Sequence, residues 1–215
     1  MVRAAFAWNL VVEVARLGAS ATLLTPRGEE ASALWPEAGP GPVGSSVALV
    51  GAENLTELHR AALDVAVTRA AEGPEGGLVV VCVPPQWLGQ AKGGRALLRW
   101  VLMFSSPDRQ DLLESYALAK QVLIPDESAR VGVAIHGARG INEARSAFEH
   151  IADVALRHLG RPLESYGLLV DDLHVYRAIV SRRPIGIEHP QSRAARALRD
   201  VAQMLLEDAR TPAVA

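Results

Sequence analysis

The stretch Trp100-Val-Leu-Met-Phe-Ser-Ser-Pro-Asp-Arg-Gln-Asp-Leu-Leu-Glu-Ser-Tyr-Ala-Leu-Ala-Lys120 sets the architecture. Its first five residues are apolar and bounded by turn formers, which predicts a strand over Trp100–Phe104. Ser106-Pro107-Asp108 then reads as an N-cap, a first-turn proline and a first-turn acid, so a helix should run to about Leu123. A strand feeding a helix through a tight polar turn is the repeating unit of a parallel α/β sheet.

Reading outward, the same alternation continues in both directions. Upstream, Leu78–Val83 is an unbroken apolar run with four valines, the pattern of a strand covered on both faces. Before it come a helix from about Ala4 to Leu17 ending at Gly18, a strand Ala21–Leu24, a strand near Val47–Val50 and a helix from about Leu55 to Ala70. Pro36–Ser46 is rich in Gly and Pro and reads as a surface connection, and Gly73–Gly77 separates a helix from a strand. Downstream, Arg130–Ile135 reads as a strand. Ile141–Leu159 carries Ile141, Ala144, Phe148, Ile151, Ala155 and Leu159 on one stripe of a helix. A strand Tyr166–Val170, a helix Leu173–Val180 and an edge strand Ile185–Ile187 follow. The last helix has Ala194, Ala195, Leu198, Val201, Ala202, Leu205 and Leu206 at helical spacing. The expectation is one α/β domain over residues 1–215: a mostly parallel sheet of seven or eight strands, three layers deep, with a flexible tail at 209–215. Ligands of such sheets sit at the carboxyl ends of strands, here after Leu24, Val83, Phe104, Ile135 and Val170.

Composition narrows the function classes. The 215 residues are 49% hydrophobic with a formal net charge of −2 and both signs interspersed, which supports a full core and offers no basic field for nucleic acid. The single cysteine, Cys82, excludes a disulfide framework and suits a reducing cytoplasm. No apolar run reaches the ~20 residues a membrane helix needs, and Asn9 and Glu13 interrupt the N-terminal stretch that a signal peptide would keep apolar. His150, His158, His174 and His189 lack metal-ligand spacing. Asp171-Asp172 reads as a helix cap before Leu173 rather than as a pair of catalytic acids, because adjacent residues in an extended stretch point apart. Gly137-Ala-Arg-Gly140 reads as the loop into the Ile141 helix. Trp35, Trp87 and Trp100 are candidates for a contact surface, against the commoner fate of burial.

Several segments, in order, resemble MinD/ParA-type P-loop ATPases, with the flagellar regulator FlhG the nearest in pattern. The Trp100–Lys120 run is similar to the family segment in which a strand ends in "TTPEP" and leads into "sltDaYalIK"; Ser115-Tyr116-Ala117-Leu118 with Lys120 carries the match. Asn9-Leu10…Ala15-Arg16-Leu17-Gly18…Thr22-Leu23-Leu24 resembles "NLAvaLA..Gk.VlLlD". Tyr166-Gly167…Asp171…Val175…Ala178 and Arg183-Pro184…Pro190…Ser192…Ala194-Ala195 resemble the family's closing stretches. The resemblance implies a P-loop NTPase-like fold, a role in placing flagella, the division site or DNA, and ATP with Mg²⁺ as ligand.

The chain departs from that pattern where the family holds its nucleotide. The family's K-G-G-x-G-K-T loop wraps phosphates with backbone N–H groups and neutralises them with lysine. Aligned on Asn9, its second lysine falls on Arg3 and its threonine on Ala4, leaving residues 1–3 as a remnant of the loop. The catalytic Asp falls on Thr25, and the acid at the end of the central strand falls on Cys82. The adenine-contacting Asn falls on His136. By position alone, Arg3, His136 and Pro190 are the residues nearest a nucleotide site. Thiol and hydroxyl cannot replace carboxylates as hard-oxygen partners of Mg²⁺, so the expectation is an ATPase-deficient regulator with no catalytic residue and no metal site. It would work by binding protein partners, among them an active paralogue or a flagellar or polar protein. Its ending, Glu207-Asp208-Ala-Arg-Thr-Pro-Ala-Val-Ala215, lacks the basic aromatic character of a membrane anchor. The alternatives are an active ATPase whose true start lies upstream of Met1, and a protein that keeps nucleotide as a structural ligand.

Overall fold

The computed structural model of the protein describes residues 2–28, 37–72, 77–89 and 93–210, and side chains within these except those of residues 2–4, 72 and 170. In chain order the elements are α1 (Val2–Arg16), β1 (Ser20–Pro26), β2 (Gly39–Pro40), β3 (Ser45–Val50), α2 (Leu55–Glu72), β4 (Gly77–Val81), β5 (Trp100–Ser105), α3 (Arg109–Leu123), β6 (Arg130–Ala138), α4 (Ile141–Leu159), β7 (Glu164–Val170), α5 (Leu173–Ser181), α6 (Ile185–Glu188) and α7 (Arg193–Arg210). They form two compact units, Met1–Pro84 with Leu173–Ala215, and Pro85–Asp172.

The first unit holds a four-stranded sheet in the order β2-β3-β1-β4. β1 runs parallel to both β3 and β4, and β2 pairs antiparallel with β3. The seven apolar positions of α7 predicted to share a face are all buried, while Arg196, Arg199 and Asp200 face out. That stripe packs on α1, whose Leu10, Val11, Val12 and Val14 are also buried. Each large aliphatic side chain so placed contributes about 2 kcal/mol.

The second unit holds three parallel strands in the order β5-β6-β7. Tyr166 on β7 lies over Gly132 on β6, where any Cβ would collide with its ring. The same ring meets the indole of Trp100 edge-on at 5.4 Å. Glycine at 132 is therefore a packing requirement, imposed by an aromatic side chain crossing the sheet.

The expected class, α/β with mainly parallel strands and flanking helices, is borne out, with seven described strands divided between sheets of four and three. Several local expectations are corrected. Ile185–Ile187 is part of helix α6, not an edge strand. Pro184 starts the turn by accepting from the N–H groups of Ile187 and Glu188, each at 3.0 Å. The free first-turn N–H of Ile185 is taken by the Asn9 side chain at 2.7 Å. The cap of α3 is Asp108, whose carboxylate accepts from the N–H groups of Gln110 and Asp111, rather than Ser106. β4 stops at Val81, so Cys82 lies just beyond it, half-buried rather than in the core. The Gly/Pro tract read as a connection contains β2. α7 runs to Arg210, and residues 211–215 lie outside the described residues.

Candidate functional site

In the first unit the strand ends to inspect are those of β1 and β4. Leu24 on β1 is level with Val81 on β4, so the next residues along, Thr25 and Cys82, are neighbours, one residue before the end of β1 and one past the end of β4. The N–H of Cys82 donates to the carbonyl of Leu24 at 2.8 Å, which holds this register one residue past the end of β4. Thr25 is fully buried, and its hydroxyl has no hydrogen-bond partner. Three residues earlier on the same strand, the Thr22 hydroxyl lies 2.9 Å from that of Ser46, which also accepts from Arg69 at 2.6 Å. A buried hydroxyl left without a partner costs about 1–3 kcal/mol, so Thr25 is an uncompensated polar group at a strand end.

A hydroxyl and a thiol at this end supply no hard anionic oxygen. A magnesium–nucleotide complex needs carboxylate to hold the cation or its water shell, and no cluster of three or more His, Cys, Asp or Glu side chains suited to a metal occurs among the described residues. Among the described residues, the side chains where β1 and β4 end offer no donor set for magnesium. The carboxylates with shifted titration are capping groups. Glu57 is held below its ordinary pKa by the N–H of Glu53 and the side chain of Asn54. Asp126 is held below its ordinary pKa by the hydroxyl and N–H of Ser128.

The positions expected to lie near a nucleotide fall as follows. Arg3 is in the first turn of α1, and its side chain lies outside the described residues. Pro190 sits in the turn between α6 and α7, closed by the N–H of Ser192 donating to His189 at 2.9 Å; the Ser192 hydroxyl accepts in turn from Ala195 and caps α7. His136 belongs to the second unit, half-buried within β6 and paired with Leu169 of β7. It is a strand residue, because β6 continues three residues past the predicted Ile135. Trp35 lies outside the described residues, Trp87 is half-buried, and Trp100 is half-buried against Tyr166. A groove of about 450 Å³ in the second unit is lined by Leu123, Ile124, Glu127, Leu159 and Arg161. It lies beside the last turns of α3 and α4, at the end away from the strand carboxyl termini.

Two buried polar residues were not assigned a role from the sequence. Asn9 accepts from Ile185 and donates to the Ala5 carbonyl at 2.7 Å, tying α1 to α6. Glu13, almost fully buried one turn later, pairs with Arg16 at 2.8 Å and occupies the space where a Cβ on Gly186 would be. The signal was present: two polar residues four apart in the apolar run between Arg3 and Arg16 of α1. In the sequence the two argued against a signal peptide, and Asn9 also anchored the family resemblance, but neither pointed to a tie between α1 and α6.

No protein family description and no curated protein matches the sequence. Solved structures do match the fold. The MinD cell division protein of Aquifex aeolicus superposes with a TM-score of 0.65 at 16% identity, over 96% of this chain and 93% of that one. MinD complexed with Mg-ADP from Pyrococcus horikoshii gives 0.62 at 10% identity, over 99% and 93%. A ParA family ATPase from Chlorobium tepidum gives 0.54 at 12% identity, over 93% and 92%. At these identities the likeness establishes the fold: a MinD/ParA-type α/β architecture with a mostly parallel sheet between helices.

Proposed function

We propose that this chain, built on a MinD/ParA-type fold, is a MinD/FlhG-like regulatory protein that does not hydrolyse ATP. It acts in the cytoplasm by binding other proteins, in the placement or number of flagella or in positioning at the cell pole or division site. The observation that carries the reading is the pair Thr25 and Cys82 at the ends of β1 and β4. They put a buried unpartnered hydroxyl and a thiol where cation-handling chemistry needs acids. The flagellar assignment rests on the ordered resemblance of the Trp100–Lys120 run and the segments around it to FlhG. Action through partners is supported by a structural neighbour described as a MinC:MinD cell division complex from Aquifex aeolicus, matched at a TM-score of 0.65 and 15% identity. Among the described residues no helix is long and apolar enough to cross a membrane.

Deleting the gene in its own organism should change flagellar number or the position of flagella or septa, and a copy carrying Thr25→Val should restore the normal pattern. Unaltered flagella and septa in the deletion strain would sink the proposal.

One observation favours a second reading, an ATPase whose phosphate loop is encoded ahead of Met1. β4 is an apolar strand of the kind found inside parallel sheets, yet among the described residues its one hydrogen-bonded neighbour in the sheet is β1. In-frame coding sequence upstream for one apolar strand and a glycine-rich lysine loop would support that reading, and a stop codon close ahead of Met1 would end it.

A further inference from the structure

The fold brings together two histidines that the sequence keeps apart. His174 is the second residue of helix α5, and His189 follows the last residue of α6. Their imidazole rings lie 4.4 Å apart between centroids, tilted by 59°. Both residues are half-buried, and both belong to the same compact unit. The backbone at His189 is fixed from two sides. Its N–H donates to the Ile185 carbonyl at 2.7 Å, and its own carbonyl accepts from the N–H of Ser192 at 2.9 Å. α5 is held more lightly. Of its nine residues only Ala178 is buried, and Leu173, Tyr176 and Val180 are exposed.

Two imidazoles at that separation can serve as adjacent ligands of one metal ion. With metal–nitrogen bonds of about 2.0–2.1 Å, rings at right-angled positions of a square or octahedral ion have centroids about 4.5 Å apart, and rings on a tetrahedral ion about 5.2 Å. The observed 4.4 Å matches the first arrangement and falls short of the second. Among the described residues no third histidine, cysteine or carboxylate completes a metal-binding cluster with them, so water fills the remaining positions. Neutral imidazole nitrogens select late transition metals over magnesium and calcium. Nearby charge limits the affinity. Arg177 stands one turn along α5 from His174, and Glu188, next to His189 in the chain, is engaged by Arg183 at 3.3 Å.

We propose that His174 and His189 form a two-histidine site for a divalent late transition metal (nickel, copper or zinc), which clips α5 to the turn after α6. The bound ion closes the loop of chain between the two histidines, as a metal clip does. It binds the folded chain and not the unfolded one, so it raises stability by mass action. Loaded, the site fastens a helix that otherwise has Ala178 as its one buried side chain. The inference is independent of the nucleotide reading.

Nickel(II) is the probe, because it is redox-inert towards the Cys82 thiol. Titrated by calorimetry into the full chain, free of any histidine tag, it should bind one ion per chain with a Kd on the order of 10 μM. At about 1 mM nickel the Tm should rise by about 5–10 °C, and the same concentration of magnesium should leave it unmoved. His174→Gln and His189→Gln should each weaken binding about tenfold or more, because one imidazole alone makes no chelate. Combining the two should lose little further. His150→Gln with His158→Gln, both on α4, should leave binding unchanged. The metal-free Tm of each variant checks its fold, and either single variant carries the test if the other misfolds. No binding up to about 1 mM nickel, an equal shift from magnesium, or binding that survives the loss of either His174 or His189 would overturn the proposal.

Discussion

The carboxyl ends of β1 and β5 do the same structural job with opposite results. At the end of β5 every polar group named is committed. The Ser115 hydroxyl donates to that of Ser105 at 2.9 Å, with both residues fully buried. The N–H of Ser106 donates to Asp111 at 2.7 Å, and Asp108 receives the first free N–H groups of α3. At the end of β1 the Thr25 hydroxyl is equally buried and has no partner, and the adjacent strand offers a thiol. A strand end whose polar groups are all bonded to one another is a finished structural joint. One that keeps a buried hydroxyl without a partner holds a polar position that internal packing does not explain.

Substitutions that exchange the chemistry of the two ends should break this contrast, and the largest effect belongs to Thr25→Asp. A carboxylate at a fully buried position with no cation beside it should destabilise the protein by about 3–5 kcal/mol at neutral pH, read from the urea midpoint. The loss should shrink as pH falls towards the ordinary carboxylate range, where the neutral acid is buried instead. If the variant instead gained stability on addition of magnesium and ATP, the strand end would still be a working cation site. Next in size is Ser115→Ala, which leaves the Ser105 hydroxyl buried and unpaired and should cost about 1–2 kcal/mol. Thr25→Val is its counterpart and should be close to neutral or stabilising, since it removes a hydroxyl that has no partner to lose. Equal losses from Ser115→Ala and Thr25→Val would erase the distinction between the two ends.

The parts of the fold legible in the sequence are those that a single periodicity dictates. Ile141–Leu159 was bounded correctly because Gly140 and Gly160 flank a clean 3.6-residue stripe, with Gly160 taking the left-handed conformation that ends the helix. The seven-residue face of α7 was legible for the same reason. What stayed hidden depended on distant partners. Ile185-Gly186-Ile187 alternates like a strand, and only the Asn9 side chain arriving from α1 and the Glu13 carboxylate above Gly186 make a helical turn there. Ser106 looked like the cap because serine precedes proline, but Asp108 reaches the two free N–H groups. Gly39 and Pro40 carry no strand propensity and pair only because β3 offers an edge. At the candidate site, the identities of Thr25 and Cys82 were legible, since a missing acid can be read letter by letter. That the Thr25 hydroxyl is buried without a partner could be learned only from the packing around β1. Exposure of Leu173, Tyr176 and Val180 was equally invisible, because an amphipathic helix announces its stripe but not the side to which it turns.

The most direct test is release of inorganic phosphate from ATP by the purified full chain in the presence of magnesium. Because the ends of β1 and β4 present a hydroxyl and a thiol in place of acids, release should stay at the protein-free background, and Thr25→Val should leave it there. Magnesium-dependent release that rises in proportion to protein concentration and is lost in Thr25→Val would contradict the account at its centre.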